Sequence, residues 1–308
     1  MGKIIHWLTS EYPGNDLLER PNYLFFAENV VRYKHFVSPC SIKFCIQDSV
    51  PYIVDNEKIS IMPGSFMIAN DGLEMECLPC NPAVKAMAVF FSNELLQDVY
   101  RSRSSDEFRL LDQPEARHEP IRFFQNIYRH PNRLSEQIRV LATHMANATE
   151  SSNDIGLDLF YNLAESMFSL QADISRQINR VNARSAATRE ELFRRVWQAK
   201  DFMHDSWRSE LNLNTIAQKA CLSPYHFHRS FQEAFGQSPM KWFRLLKLKN
   251  AKSLLGSGQM NVTQVALYCG FGDVFSFSKA FKREFGISPS EIEKTVLSKR
   301  CSPTQRRR

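Results

Sequence analysis

Residues 217–239 read AQKACLSPYHFHRSFQEAFGQSP, residues 266–289 read ALYCGFGDVFSFSKAFKREFGISP, and the second stretch is a diverged copy of the first. Phe227, Phe231, Phe235, Gly236, Ser238 and Pro239 reappear fifty positions later as Phe277, Phe281, Phe285, Gly286, Ser288 and Pro289. At the front the offset shrinks by one, pairing Ala217 with Ala266, because the second copy carries an extra residue in its turn at 270–273. An insertion there disturbs a loop and leaves the helices on either side intact.

Each copy has the grammar of a helix-turn-helix. Ile216, Ala217 and Ala220 lie on one face of a short helix, Leu222 closes it, Ser223 suits an N-cap and Pro224 the first helical position. On the helix that follows, Phe227 and Phe231 recur at i, i+4 and face a core, while Tyr225, His228, Arg229 and Gln232 share another face. In the second copy Asp273 is the N-cap, Phe277, Ala280 and Phe281 turn inward, and Val274, Ser278, Lys279 and Lys282 turn outward. Gly236 and Gly286 end the two helices.

Two helical hairpins with no ligand would satisfy the same pattern, so charge has to decide. Residues 201–308 hold 17 Lys plus Arg against 8 Asp plus Glu, a net of +9, whereas residues 1–200 hold 22 against 25, a net of −3. Basic charge is segregated onto the repeat. Such a footprint favours a polyanionic partner, because neutralising phosphates releases counterions and gives salt-sensitive affinity.

With the repeat in view, the region from Arg195 to Lys294 resembles the AraC/XylS family of bacterial transcription regulators. The resemblance rests on the two helix-turn-helix units, on Met240 to Leu255, which is similar to the family's long connecting helix ending in A-x-x-L-L, and on the GF…F-x-x-x-F-G-x-S-P run of the second unit. Two positions depart from the pattern: Gly272 stands where the family usually has Ser, and Ile292-Glu293 where it usually has Tyr-Arg. The resemblance implies that each second helix enters the major groove of double-stranded DNA, about one helical turn apart. The matching base-facing positions are Tyr225, His228 and Arg229 in the first unit and Val274, Ser276, Ser278 and Lys279 in the second. Arginine can bind guanine in bidentate fashion, and an apolar side chain can pack on a thymine methyl. Val274 and the flanking Phe275 are apolar where many relatives are polar. Lys241, Arg244, Lys247 and Lys249 read as solvated helix charges, some of them within reach of phosphate.

The length suggests two domains, each large enough to bury a core. Residues 1–92 read as β structure. SIKFCIQD from Ser41, PYIV from Pro51, KISIM from Lys58, SFMIA from Ser65, LEMECL from Leu73 and VKAMAVFF from Val84 are short strands, broken by turns at 55–57, Pro63-Gly64 and Asn70-Asp71-Gly72. The run from Pro21 to Ser92, with its I-x-PG-x-F-x-I-A, resembles the jelly-roll, cupin-like sensor half of many AraC/XylS members. The resemblance implies a barrel whose interior is either filled or a cavity for a small-molecule effector, with Phe44, Phe66 and Phe90 as candidate lining.

An enzyme of the cupin type would hold its metal on histidines from adjacent strands. His6 and His35 are the only histidines before His118. No catalytic residue, metal ligand or cofactor is therefore assigned, and a cupin-like enzyme with a DNA-binding appendage stands as the rival reading. Cysteines supply another. Cys40, Cys45, Cys77 and Cys80 fall in the sensor half and could hold zinc or form a regulatory disulfide. Yet a C-x-x-C away from a helix start lacks the field that activates a thiol, and buried inert cysteines are the ordinary case. The odd total of seven cysteines argues for a reducing compartment. His226 and His228, an H-x-H on a helix, point to different faces.

Residues 93–182 read as helices. Phe160, Leu163, Met167, Leu170, Ile174, Ile178 and Val181 keep close to a heptad spacing; a helix packed on its own domain has the same spacing, and Phe160 to Ile174 are taken as the candidate contact of a homodimer. Residues 183–188 read as a linker, with Thr188 and Glu191 as a capping box opening the DNA-binding domain at 189–295. Residues 296–308 read as a basic, disordered tail. Ile4 to Leu8 is too short for a signal or membrane segment, which places the chain in the cytoplasm, and RNA polymerase is a further partner if the protein activates. The expected architecture is thus an N-terminal β-rich jelly-roll barrel with trailing helices and a C-terminal all-α tandem helix-turn-helix.

Overall fold

The computed structural model describes residues 5–8, 22–28, 33–81, 83–103, 121–129, 131–147 and 156–301. The chain divides into two compact units, Met1–Ile174 and Ser175–Arg308.

Among the described residues of the first unit, ten strands form two sheets. One has six strands in the order β1 (Ile5–Leu8), β2 (Tyr23–Glu28), β9 (Lys85–Phe90), β4 (Ser41–Gln47), β7 (Phe66–Ala69) and β10 (Ile127–Tyr128). The other has four, ordered β3 (Tyr33–Ser38), β8 (Leu73–Cys77), β5 (Val50–Val54) and β6 (Glu57–Ile61). All pairings are antiparallel except β1 with β2, which run parallel. The six strands expected from residues 41–92 are present. The β5–β6 hairpin shows why its turn was legible: Asp55 and Asn56 both take positive φ, 50° and 63°, the backbone whose twist matches the flanking strands and which Asp and Asn tolerate. The two-residue β10 falls in a stretch expected to be helical. Its pairing with Met67 and Phe66 is non-local, and two residues carry no periodicity to read.

Alternation along β4 decides which side chains enter the space between the sheets. Lys43 is registered with Ala88 and Met67, and Met67 packs with Met75, Val54 and Ile61 of the other sheet. Paired residues share a face, so Lys43, Ala88 and Phe90 look inward. Phe44, registered with Phe66 and Met87, looks the opposite way. Of the three candidate effector-lining residues, Phe90 alone therefore lies between the sheets. Phe44 and Phe66 belong to the opposite face, where Phe66 stacks on Tyr128 at 4.8 Å.

Among the described residues this unit also has the helices α1 (Asn93–Arg103), α2 (Arg133–Asn147) and α3 (Leu157–Arg180), the last running past the division between the units. The candidate dimer seam lies on α3, and the structure uses it otherwise. Phe160, Leu163 and Met167 are 0% exposed and Ile174 is 1% exposed, with Leu170 half-buried, all within a single chain. Phe160 meets Phe91 edge-on at 6.1 Å, and Phe168 packs on Phe123 at 5.2 Å. The heptad-like spacing marks the inner face of a helix packed on its own domain, and a face already covered is not a contact for a second copy.

The second unit is helical: α4 (Ala186–Asp205), α5 (Leu213–Lys219), α6 (Pro224–Phe235), α7 (Pro239–Ser257), α8 (Val262–Tyr268), α9 (Val274–Phe285) and α10 (Pro289–Cys301). The N-cap of α4 is Ser185, whose side chain accepts from the Thr188 backbone N–H at 3.1 Å. Thr188 itself lies inside the helix, and Glu191 pairs with Arg194 and Arg195 along it, so the expected Thr188–Glu191 capping box does not form. The residues up to 301 of the expected tail continue α10, and the rest of that tail lies outside the described residues.

Candidate nucleic-acid interface

The two repeats fold as α5–α6 and α8–α9. Asn212 caps α5 by accepting from the Thr215 N–H at 2.9 Å, and Asn261 caps α8 in a reciprocal box with Gln264. Ser223 and Asp273 cap the second helices, accepting from His226 and Ser276 respectively. The Asp273 carboxyl is held below its usual range mainly by that Ser276 N–H. Left-handed Gly236 and Gly286 close α6 and α9 at φ 72° and 75°. Inside each unit the phenylalanine pair is fully buried: Phe227 with Phe231, ring centroids 5.6 Å apart, and Phe277 with Phe281, 5.5 Å apart. Each such side chain contributes about 1.5–3 kcal/mol by leaving water.

With the phenylalanines turned in, the opposite faces of α6 and α9 stand free. Tyr225 is 78% exposed and Phe275, fifty positions on, is 79% exposed. Two large aromatic side chains thus stand bare at the same place in both repeats, where burial would ordinarily have claimed them. One turn further come Arg229 and Lys279, both exposed. Arg229 Nε donates to Glu233 at 2.9 Å, and the neighbouring carboxylate holds the guanidinium still more firmly protonated. His228 and Ser278 are half-buried flanks of these faces, and Ser276 is exposed in the first turn of α9.

Val274 departs from its expected role. It is half-buried and packs against the core around Phe277 and Phe281. In repeat register it matches Pro224, while Phe275 matches Tyr225. Phe275, named only as a neighbour of the candidate set, is the exposed residue there, and the fifty-residue offset is the signal that identifies it.

Along α7, Lys241, Arg244 and Lys249 are exposed as expected, but Lys247 is not. It lies on the core face with Phe243, Leu248 and Ala251, 6% exposed. Its ammonium donates to the Gly270 carbonyl at 3.3 Å and rests 4.9 Å from the Phe243 ring. Burial pushes its pKa down.

The first unit also holds a buried amine. Lys43 is 5% exposed, and its ammonium lies 4.1 Å from the Phe90 ring and 5.7 Å from that of Phe36. Desolvation lowers its pKa to about 7. Cys40, Cys45 and Cys77 are buried free thiols, and burial raises the first two to about 12, which makes them poor nucleophiles and metal ligands. Cys80 is half-buried beside Cys77, whose hydrogen bond draws its pKa down. No cluster of three metal-ligating side chains occurs among the described residues, and no helix among them is long and apolar enough to cross a membrane.

Residues 216–295 match a family model described as a helix-turn-helix domain. The HTH-type transcriptional activator RhaS of Escherichia coli O157:H7 is 34% identical over 91 residues, covering 30% of this chain and 33% of that protein. The Msm operon regulatory protein of Streptococcus mutans is 32% identical over 101 residues, covering 33% and 36%. RhaS of Enterobacter sp. is 29% identical over 206 residues, covering 63% and 66%. Among solved structures, a transcriptional regulator with an AraC-type DNA-binding domain from Chromobacterium violaceum is 26% identical, covering 36% of this chain and 95% of that one, with a TM-score of 0.32. The match thus spans about a third of the length of the first of these curated relatives. The second unit is accordingly a double helix-turn-helix domain of the DNA-binding class. That domain is similar in sequence to part of each of these transcription regulators.

Proposed function

We propose that this protein regulates transcription by binding double-stranded DNA, with α6 and α9 reading two successive major-groove segments. The single observation that carries this reading is the matched pair of bare faces, Tyr225 with Arg229 and Phe275 with Lys279, projected from two copies of one scaffold. In it the cations reach guanine edges or phosphates, Ser276, Ser278 and His228 supply shorter polar contacts, and the aromatic rings pack on thymine methyls or sugars. The exposed Lys241 and Lys249 add phosphate contacts that carry no sequence information.

The first unit serves in this reading as the sensor, a jelly-roll of the cupin kind, with the space beside Phe90 and Lys43 as the compartment for a small effector. The chain works in the cytoplasm as a homodimer whose contact uses a face other than the buried seam of α3, with RNA polymerase as a partner where it activates, and no catalytic role is assigned. Cysteine chemistry at Cys77 and Cys80 is a second reading, favoured by the lowered Cys80 thiol. Genome-wide mapping of the sites bound by the full chain, followed by mobility shifts on the recovered duplexes at two salt concentrations, tests the first reading. Sites sharing a two-part motif about one helical turn apart support it, and binding with no preferred sequence sinks it.

A further inference from the structure

A cleft of about 450 Å³ opens between α7 and the turn that leads into α9, a size that suits a small ligand. One wall is apolar, made by Met240, Phe243 and Phe271. The polar side holds two cations, Arg244 and Lys247, against a single acid, Glu210. Lys247 is the unusual member. An ammonium carries three N–H donors, and this one uses a single acceptor, the Gly270 carbonyl. Among the described residues no carboxylate stands within ion-pair distance of it, and Glu210 acts on it only from further away. A buried cation with spare donors is costly unless something completes its shell.

The seat of this amine is built into the backbone. Gly270 takes φ 68°, and a Cβ there would stand 2.6 Å from the Arg208 carbonyl oxygen and 2.8 Å from Lys247 Nζ. The turn by itself does not demand glycine, since the equivalent position of the first unit is Cys221 at φ 51°. What requires glycine is the close approach of Arg208 and Lys247, which holds the ammonium at the cleft.

We propose that this cleft binds a small organic anion, a phosphate or carboxylate held by Lys247 and Arg244 with an apolar body laid against Met240, Phe243 and Phe271. The remaining wall, from Glu210 to Asn212, leads into α5, so the ligand sits between the two helix-turn-helix units. This goes beyond base reading and does not depend on it.

The test titrates phenyl phosphate, inorganic phosphate and sodium chloride at matched ionic strength into the full chain, following heat and Tm. Wild type, Arg244→Gln and Lys247→Met are compared after circular dichroism confirms their helix content. Saturable binding is expected for phenyl phosphate, at least tenfold tighter than for inorganic phosphate. It should weaken several-fold in Arg244→Gln, whose exposed side chain is replaceable without disturbing the core, and tenfold or more in Lys247→Met. No saturable binding, or equal binding by wild type and Arg244→Gln, overturns the proposal. A second arm measures duplex affinity against salt. If the two cations instead grip a DNA backbone phosphate, Arg244→Gln lowers the slope of log Kobs against log salt by about 1 while phenyl phosphate fails to bind, and the small-ligand site is then wrong. Failure to bind any duplex sinks the regulator reading and leaves the phenyl phosphate result standing.

Discussion

Arg229 and Glu233 face each other one helical turn apart on α6, the guanidinium Nε donating to the carboxylate at 2.9 Å, while the other carboxylate oxygen accepts the Asn182 backbone N–H at 3.0 Å. The cation of the first reading helix is therefore held in one orientation before any DNA arrives, by an acid that also ties down the chain entering the domain. A pre-oriented arginine loses less entropy when it meets guanine, which favours specificity. Arg229→Ala should cost about 1–3 kcal/mol in specific binding and relax preference at one base pair. Glu233→Gln should leave affinity for random duplex unchanged or higher while narrowing the ratio of specific to random binding. Competition titrations read both, and an unaltered preferred sequence in Arg229→Ala places the reading helix elsewhere.

Tyr225 and Phe275 separate folding from binding, because both are bare while their neighbours two residues on are fully buried. Phe231→Ala or Phe281→Ala should destabilise the domain by about 3–5 kcal/mol. Tyr225→Ala or Phe275→Ala should shift stability by no more than about 0.5 kcal/mol yet weaken duplex binding. Denaturant curves set beside binding curves decide it. An exposed-site variant that melts like a core variant contradicts the assignment of faces.

Lys43 ties stability to pH. Its folded pKa is lowered to about 7 from 10.5, so between these values the unfolded chain binds more protons than the folded one, and stability rises with pH across that window. The penalty is fully present below pH 7. Lys43→Met should therefore stabilise the protein at pH 6.5 by on the order of a few kcal/mol, with the gap closing towards pH 10. Thermal melts across the series check this, and a gap that ignores pH rules out the buried amine as its source.

Leu163 and Met167 are 0% exposed within one chain. Replacing both by Asp buries two unpaired charges and should unfold the first unit rather than release folded monomers. Sedimentation and circular dichroism on the double variant distinguish the outcomes, and a folded monomer with native helix content restores the seam as a contact between copies.

The thiols should react in order of exposure and thiolate content. Iodoacetamide at pH 8 should label exposed Cys221 and half-buried Cys80 well before Cys40 and Cys45, raised to about 12, or Cys269, raised to about 11. Mass spectrometry of timed samples gives the order. Cys77→Ser with Cys80→Ser should leave the response to an organic effector intact, whereas loss of response in a folded, DNA-bound double variant promotes the cysteine reading.

Whatever depends on local or repeated pattern is legible in the chain before it folds. Period, caps and closing glycines delimit α6 and α9, the fifty-residue offset places Tyr225 opposite Phe275, and the Asp55-Asn56 turn sets the β5–β6 hairpin, because capping, helical periodicity and positive φ are properties of neighbouring residues. Which partner covers an apolar or basic stripe depends instead on contacts made across the fold. The seam from Phe160 to Ile174 has the same spacing whether it meets a second copy or its own domain. Lys43 and Lys247 look like strand and helix charges until Phe90 on another strand and Gly270 on another helix-turn-helix turn are brought beside them. Phe44 and Phe90 are alike as letters, and the pleat alone sends one inward and the other out. Burial is settled by residues distant in the chain, and no local window contains them.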